Sequence, residues 1–148
     1  MILSGSHEHS VDSKGRIFVP SELLTELCEV SKEPRWLWVT RGAEGCLWLY
    51  PDSVWRARVA VLEAKSDGDP VKRKFMRQFI GLAKRREIDA SNRILIPDEL
   101  RRLAGITDKA VFLGQSDKIE LWDHSRHVAE SGELSDADYS ELAKGAFS

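Results

Sequence analysis

Two short stretches combine residues able to grip an anion with residues able to turn the chain sharply. The first reads VDSKGRIFVP, Val11 to Pro20, and the second reads IDASNRILIP, Ile88 to Pro97. In the first, Asp12 can accept hydrogen bonds from backbone N–H groups just after it, closing an Asx-type turn. Gly15 supplies positive φ without a Cβ penalty. Lys14 sits at the tip, and Arg16 leaves the turn at the head of an apolar run. In the second, Asp89 and Arg93 keep these places. Asn92 replaces the glycine, and asparagine is one of the few other residues that enters the left-handed region readily. Ser91 replaces Lys14, so the second copy offers one positive charge fewer. A guanidinium displayed this way can make a forked pair of hydrogen bonds to a guanine edge or clasp a phosphate. The same spacing also suits a purely architectural role, with Asp12–Arg16 and Asp89–Arg93 closing their own turns. Spacing alone leaves both readings open.

The elements that must position these turns are themselves duplicated. Asp12, Arg16, Ile17, Pro20, Glu22 and Leu23 match Asp89, Arg93, Ile94, Pro97, Glu99 and Leu100 at a constant offset. Further on, GCLWLYPDSVW resembles DKIELWDHSRH, with Leu49 matching Leu121 and Tyr50 matching Trp122. Such self-similarity is the mark of a repeat. Each half is expected to run strand, charged turn, strand, proline-led helix, strand, turn, strand. Pro20 suits a first helical turn, and SELLTEL places Leu23, Leu24 and Leu27 on one side. WLWVT, CLWLY, AVFLG and KIELW read as strands, and Gly105 as a helix stop. Between the halves, Ser53 to Ala64 reads as a helix and SDGDP (Ser66 to Pro70) as a break. Val71 to Ala83 reads as a second helix with Phe75, Phe79 and Leu82 on one face. The acidic tail reads as a helix around Asp136 to Ala143 or as a frayed end.

Four short strands bury too little to stand alone, and open edges need covering. Interleaving the two halves answers both demands. The expected fold is therefore mainly β with short helices (α+β): two β-hairpin repeats interleaved into one barrel. The expected organisation is residues 6–53 for the first repeat, 54–82 for connecting helices, 83–126 for the second repeat and 127–148 for the tail.

Bulk properties narrow the function. The chain has 148 residues, 42% of them hydrophobic and 31% charged, an ordinary globular balance. No apolar run approaches a membrane span, no signal peptide is visible, and Cys28 and Cys46 are expected to be reduced thiols in a cytoplasm. The net charge is −2. It is unevenly spread, with a surplus of roughly six positive charges from Lys72 to Arg102 and of about five negative charges from Asp117 to the end. A basic block can attract a polyanion while the acidic end faces away. No acid, base or nucleophile set is legible, so an enzyme, a small-molecule substrate and a cofactor are not expected. His7 and His9 flank Glu8 without a wider ligand cluster, so no metal site is expected. His124 and His127 read as surface residues, and the five tryptophans as core or subunit-interface anchors.

HSVDSKGRIFVP, VTRGAEGCLWLYP, KFMRQFIGLAKRREIDASNRILIP and VFLGQSDKIELWD occur in that order from about Gly5 to Asp123. Together they resemble the MraZ family, a duplicated branch of the SpoVT/AbrB swapped-hairpin transcription factors. The resemblance implies a cytoplasmic, nucleoid-associated regulator of the bacterial division and cell-wall gene cluster. It implies several chains assembled into a ring on double-stranded DNA, with both turns presenting arginine. Asn92 departs from the glycine common in that family. On this reading Arg16 and Arg93 contact bases or phosphates. Lys14, Arg85 and Arg86 contact phosphates, while Asp12, Gly15, Asp89 and Asn92 shape the turns. An AbrB-like antitoxin with a toxin-binding tail, and a protein-assembly module whose basic patch meets an acidic partner, are the alternatives.

Overall fold

The computed structural model describes residues 1–65, 68–131 and 134–148. The first half runs β1 (Ser6–Ser10), β2 (Arg16–Phe18), helix α1 (Ser21–Leu24) widening into a π-helical stretch (Thr25–Val30), β3 (Trp36–Arg41) and β4 (Leu47–Tyr50). Helices α2 (Asp52–Lys65) and α3 (Pro70–Phe79) follow. The second half runs β5 (Lys84–Glu87), β6 (Arg93–Leu95), α4 (Asp98–Leu103), β7 (Lys109–Gly114) and β8 (Ile119–Asp123). Helices α5 (His124–Ser131) and α6 (Asp136–Ala146) end the chain.

The two halves exchange strands. β1 pairs antiparallel with β7, and β5 pairs antiparallel with β3. Thus the first strand of each repeat lies beside the third strand of the other. The larger sheet has the order β1-β7-β8-β4-β3-β5, and β2 and β6 form a separate two-stranded ribbon. The ladders do not close the expected barrel, because β1 and β5 end the larger sheet. Among the described residues, the isolated bridges Val11↔Ile17 and Ile88↔Ile94 link those ends to the ribbon.

One core serves both repeats. Ile17 and Ile94, directly opposite each other in the ribbon, are buried with Leu23, Leu37, Leu49, Leu100, Phe112 and Leu121. Burying each such side chain contributes about 1.5–3 kcal/mol. With side chains alternating across a strand, the two isoleucines fix the ribbon's inner face and so dictate which residues face out. A second cluster packs Tyr50, Trp55 and Phe79 on the sheet's other side. Trp38 stacks on Trp55 at 5.4 Å between centroids. Trp122 is buried with Cys46, while Trp36 and Trp48 are half-buried.

Several boundaries differ from the sequence expectation. Pro20 and Pro97 are N-caps, one residue ahead of the helical turn. α3 stops at Phe79 rather than Ala83, because the chain must extend at Lys84 to reach the edge of β3. The buried Thr40 hydroxyl donates to the Phe79 carbonyl and holds that end in place. Phe79 is buried as expected of its face, but Phe75 is largely exposed. The Asp69 side chain caps α3 by accepting from the Val71 and Lys72 amides. Ser66 and Asp67 of the expected break lie outside the described residues. The tail is helical over Asp136–Ala146, with no residue buried. Both cysteines are free thiols, and burial pushes the Cys46 thiol up to about 12.

Candidate nucleic-acid interface

Each charged turn is closed by its aspartate in the same way. The Asp12 Oδ1 accepts from the Lys14 and Arg16 amides, each at 2.9 Å, and the Gly15 amide donates to the Asp12 carbonyl at 3.0 Å. The Asp89 Oδ1 accepts from the Ser91 amide at 2.8 Å and the Arg93 amide at 2.9 Å. The Asn92 amide donates to the Asp89 carbonyl at 2.9 Å. Gly15 has φ +87° and Asn92 φ +63°, the left-handed conformation that both turns require. The backbone N–H of Arg16 holds the Asp12 carboxyl down to about 2. That of Arg93 likewise lowers Asp89 below the ordinary carboxylate range.

The turns are also tied across the repeats. The Ile96 amide donates to the Gly15 carbonyl at 3.0 Å, and the Val19 amide donates to the Asn92 carbonyl at 2.8 Å. These bonds flank the β2–β6 ladder and lock the two turns to opposite ends of one ribbon. Its register sets Arg16 opposite Leu95 and Phe18 opposite Arg93. With Ile17 and Ile94 inside, Arg16, Phe18, Arg93 and Leu95 all face outward. Arg16 and Arg93 line one groove of about 390 Å³ together with Asp12, Phe18 and His9.

The two arginines are held differently. Arg16 Nε donates to Asp12 Oδ2 at 2.7 Å. Arg93 Nε lies 3.4 Å from Asp89 Oδ2, buried and without a hydrogen-bond partner. The side chains are 32% and 28% exposed, so neither is sealed inside. An aspartate engaging one edge leaves other donors of the five on each guanidinium.

The remaining residues predicted from sequence occupy distinct places. Lys14 is exposed at the tip of the first turn, between Asp12 and Gly15. Arg85 and Arg86 lie on β5, outside the groove lined by Arg16 and Arg93. Arg85 stacks over Trp36, its guanidinium carbon 4.5 Å from the ring centroid. Arg86 sits opposite Leu37 and is half-buried, its Nε without a partner.

Four contributors were not singled out from the sequence. Arg101 lies against Gly15, where an added Cβ would fall 2.0 Å from its Nη1. Arg35 Nη2 donates to the Asp89 carbonyl and to Asn92 Oδ1, each at 3.0 Å. Both buttresses come from the opposite repeat, so no local pattern announces them. Phe18 and Leu95 are exposed apolar residues beside the arginines. Strict alternation along RIF and RIL, with the isoleucine inside, places them there. No group of His, Cys, Asp and Glu among the described residues could hold a metal ion. No helix among them is long and apolar enough to cross a membrane.

The sequence profile of the family described as "MraZ protein, putative antitoxin-like" matches the chain twice, over residues 2–78 and 79–148. Similar proteins named "Transcriptional regulator MraZ" include that of Lachnoclostridium phytofermentans, 38% identical over 86% of this chain and 85% of the relative. Another is that of Finegoldia magna, 34% identical over 93% of this chain and 91% of the relative. A third, from Caldanaerobacter subterraneus, is 33% identical over 97% of this chain and 95% of the relative.

Proposed function

The chain belongs to the MraZ family, and from that premise we propose that it is a sequence-specific DNA-binding transcriptional regulator acting through both DxxxR turns. The observation that carries this reading is the outward placement of Arg16 and Arg93 on one ribbon, lining one groove. Arg16 and Arg93 read base edges or clasp phosphates. Lys14, Arg85 and Arg86 contact phosphates, which position the protein without specifying sequence. Asp12, Gly15, Asp89 and Asn92 hold the geometry.

The family resemblance points to the division and cell-wall gene cluster as the target and to the nucleoid as the place of action. One chain offers few contacts and binds weakly. A ring of chains on repeated promoter elements raises the effective concentration of each later contact. The two repeats of about 45 residues, the connecting helices and the acidic tail are the units of this design. A single-repeat antitoxin would need a second chain to supply the partner strands that this chain supplies to itself.

The test is fluorescence anisotropy on the duplex immediately upstream of the protein's own reading frame. Arg16→Ala and Arg93→Ala are each expected to weaken binding by about 5- to 150-fold, the value of one forked base contact. Their thermal unfolding should stay close to that of the parent. Unchanged binding, or unfolding of either variant, would leave the arginines as turn-closing groups only.

A further inference from the structure

Reading the β2/β6 ribbon as a DNA face leaves two of its four outward side chains without a role. Phe18 is 51% exposed and Leu95 42%. Single exposed apolar residues mean little on a protein surface, but these two are not isolated. Arg16 faces Leu95 across the ribbon and Phe18 faces Arg93. Guanidinium and hydrocarbon therefore alternate both along and across the strands. The Arg93 guanidinium carbon lies 6.0 Å from the Phe18 ring centroid, and Phe18 lines the same groove as both arginines.

That alternation fits one occupant. Two hydrocarbon side chains set among guanidinium groups are far too little for a stable protein interface, which needs roughly 20–30 residues a side. A two-stranded ribbon is one of the two shapes that the major groove of B-DNA admits. The base edges there offer guanine O6 and N7 to arginine, and their apolar group is the thymine C5-methyl. We propose that Phe18 and Leu95 are specificity-determining residues that pack on thymine C5-methyl groups beside the bases reached by Arg16 and Arg93. This rests on the DNA-binding reading above and adds thymine to what the ribbon discriminates.

Replacing thymine by uracil removes the methyl group and nothing else. The full chain would first select a duplex from a random-sequence pool. Each thymine of that duplex would then be replaced in turn by uracil. At the contacted positions the parent protein is expected to lose about fourfold in affinity, the factor for one buried methyl-sized group. Phe18→Ala should bind the thymine duplex more weakly and be indifferent to uracil at one subset of positions, and Leu95→Ala at another. Both side chains are exposed, so thermal unfolding should barely move. If uracil has no effect while Arg16→Ala and Arg93→Ala lose binding, the thymine contact is wrong and the DNA reading stands. If the apolar variants weaken both duplexes equally, the side chains only shape the ribbon, and the proposal is overturned. If no duplex is selected, the DNA reading fails and this inference falls with it.

Discussion

The turn at Asp12 and the turn at Asp89 share one backbone and hold their arginines in two ways. In both, a carboxylate oxygen gathers two amides at 2.8–2.9 Å. Beyond that frame they diverge. The first has Gly15 pressed against Arg101, Lys14 at its tip and Arg16 bonded through Nε. The second has Asn92 bonded to Arg35, Ser91 at its tip and Arg93 standing off at 3.4 Å. The strands entering the turns differ as well, SHEHS in β1 against KRRE in β5. The difference separates what duplication must keep from what it can vary. The aspartate and the left-handed residue make the bend, while the side chains around them set charge and freedom. The two readings that spacing leaves open are compatible. Arg16 spends one edge of its guanidinium on Asp12 and keeps further donors.

The largest contrast expected concerns the left-handed position. Both residues adopt it readily, so exchanging them tests the surroundings rather than the backbone. Gly15→Asn forces the guanidinium end of Arg101 aside, away from its ion pair with Asp98, and should cost about 1 kcal/mol. Asn92→Gly loses the exposed bond from Arg35 and should stay within about 0.5 kcal/mol. Denaturant unfolding of the two variants checks this. Equal costs would mean that Arg101 swings aside freely and that the turns are interchangeable.

A smaller contrast lies at the tips. Lys14 is exposed, and its counterpart Ser91 is uncharged and exposed. Each phosphate neutralised adds about −0.9 to the slope of log affinity against log salt. Lys14→Ser should make the slope shallower by about that amount, and Ser91→Lys should steepen it by a similar amount. A titration of affinity between 50 and 200 mM salt, roughly the range over which such effects are large, gives both slopes. An unchanged slope for Lys14→Ser would remove the first tip from the phosphate backbone.

Most of the ribbon was legible before the structure, because its signals are local. Asp-to-Arg spacing, the left-handed Gly15 or Asn92, and the proline after each strand all act within one stretch of chain. The repeat also made exchange of strands between halves a sound expectation, since neither half could bury its own apolar face. What was not legible depends on distant partners. Arg35 reaches Asn92 and Arg101 reaches Gly15 from the opposite repeat, and no periodicity encodes those meetings. Arg85 and Arg86 look alike in sequence, yet adjacent residues on a strand point to opposite faces. One stacks on Trp36, and the other sits half-buried opposite Leu37. The end of α3 was missed because helical periodicity continues through Leu82, while the demand for an extended β5 overrides it.

The smallest contrast is electrostatic and can be followed at the carboxylates themselves. In the folded chain Asp12 titrates at about 2, and Asp89 also lies below the ordinary carboxylate range. A depressed carboxylate pKa means that the ionised form is favoured by folding. Its contribution is therefore complete above about pH 4 and is lost as the pH falls through the folded value. For Asp12 that window runs from about pH 4 down to about pH 2. Carbon-detected NMR of the side-chain carboxyl groups should place the Asp12 midpoint near 2 and that of Asp89 below 3.8. Arg16→Gln removes the charge and the Nε bond but keeps the residue 16 amide, which is the largest cause of the depression. The Asp12 midpoint should then rise while staying below 3.8. If it returned fully to 3.8, the side chain rather than the backbone would be holding the aspartate. The two turns would then differ in what closes them, not only in how tightly each holds its arginine.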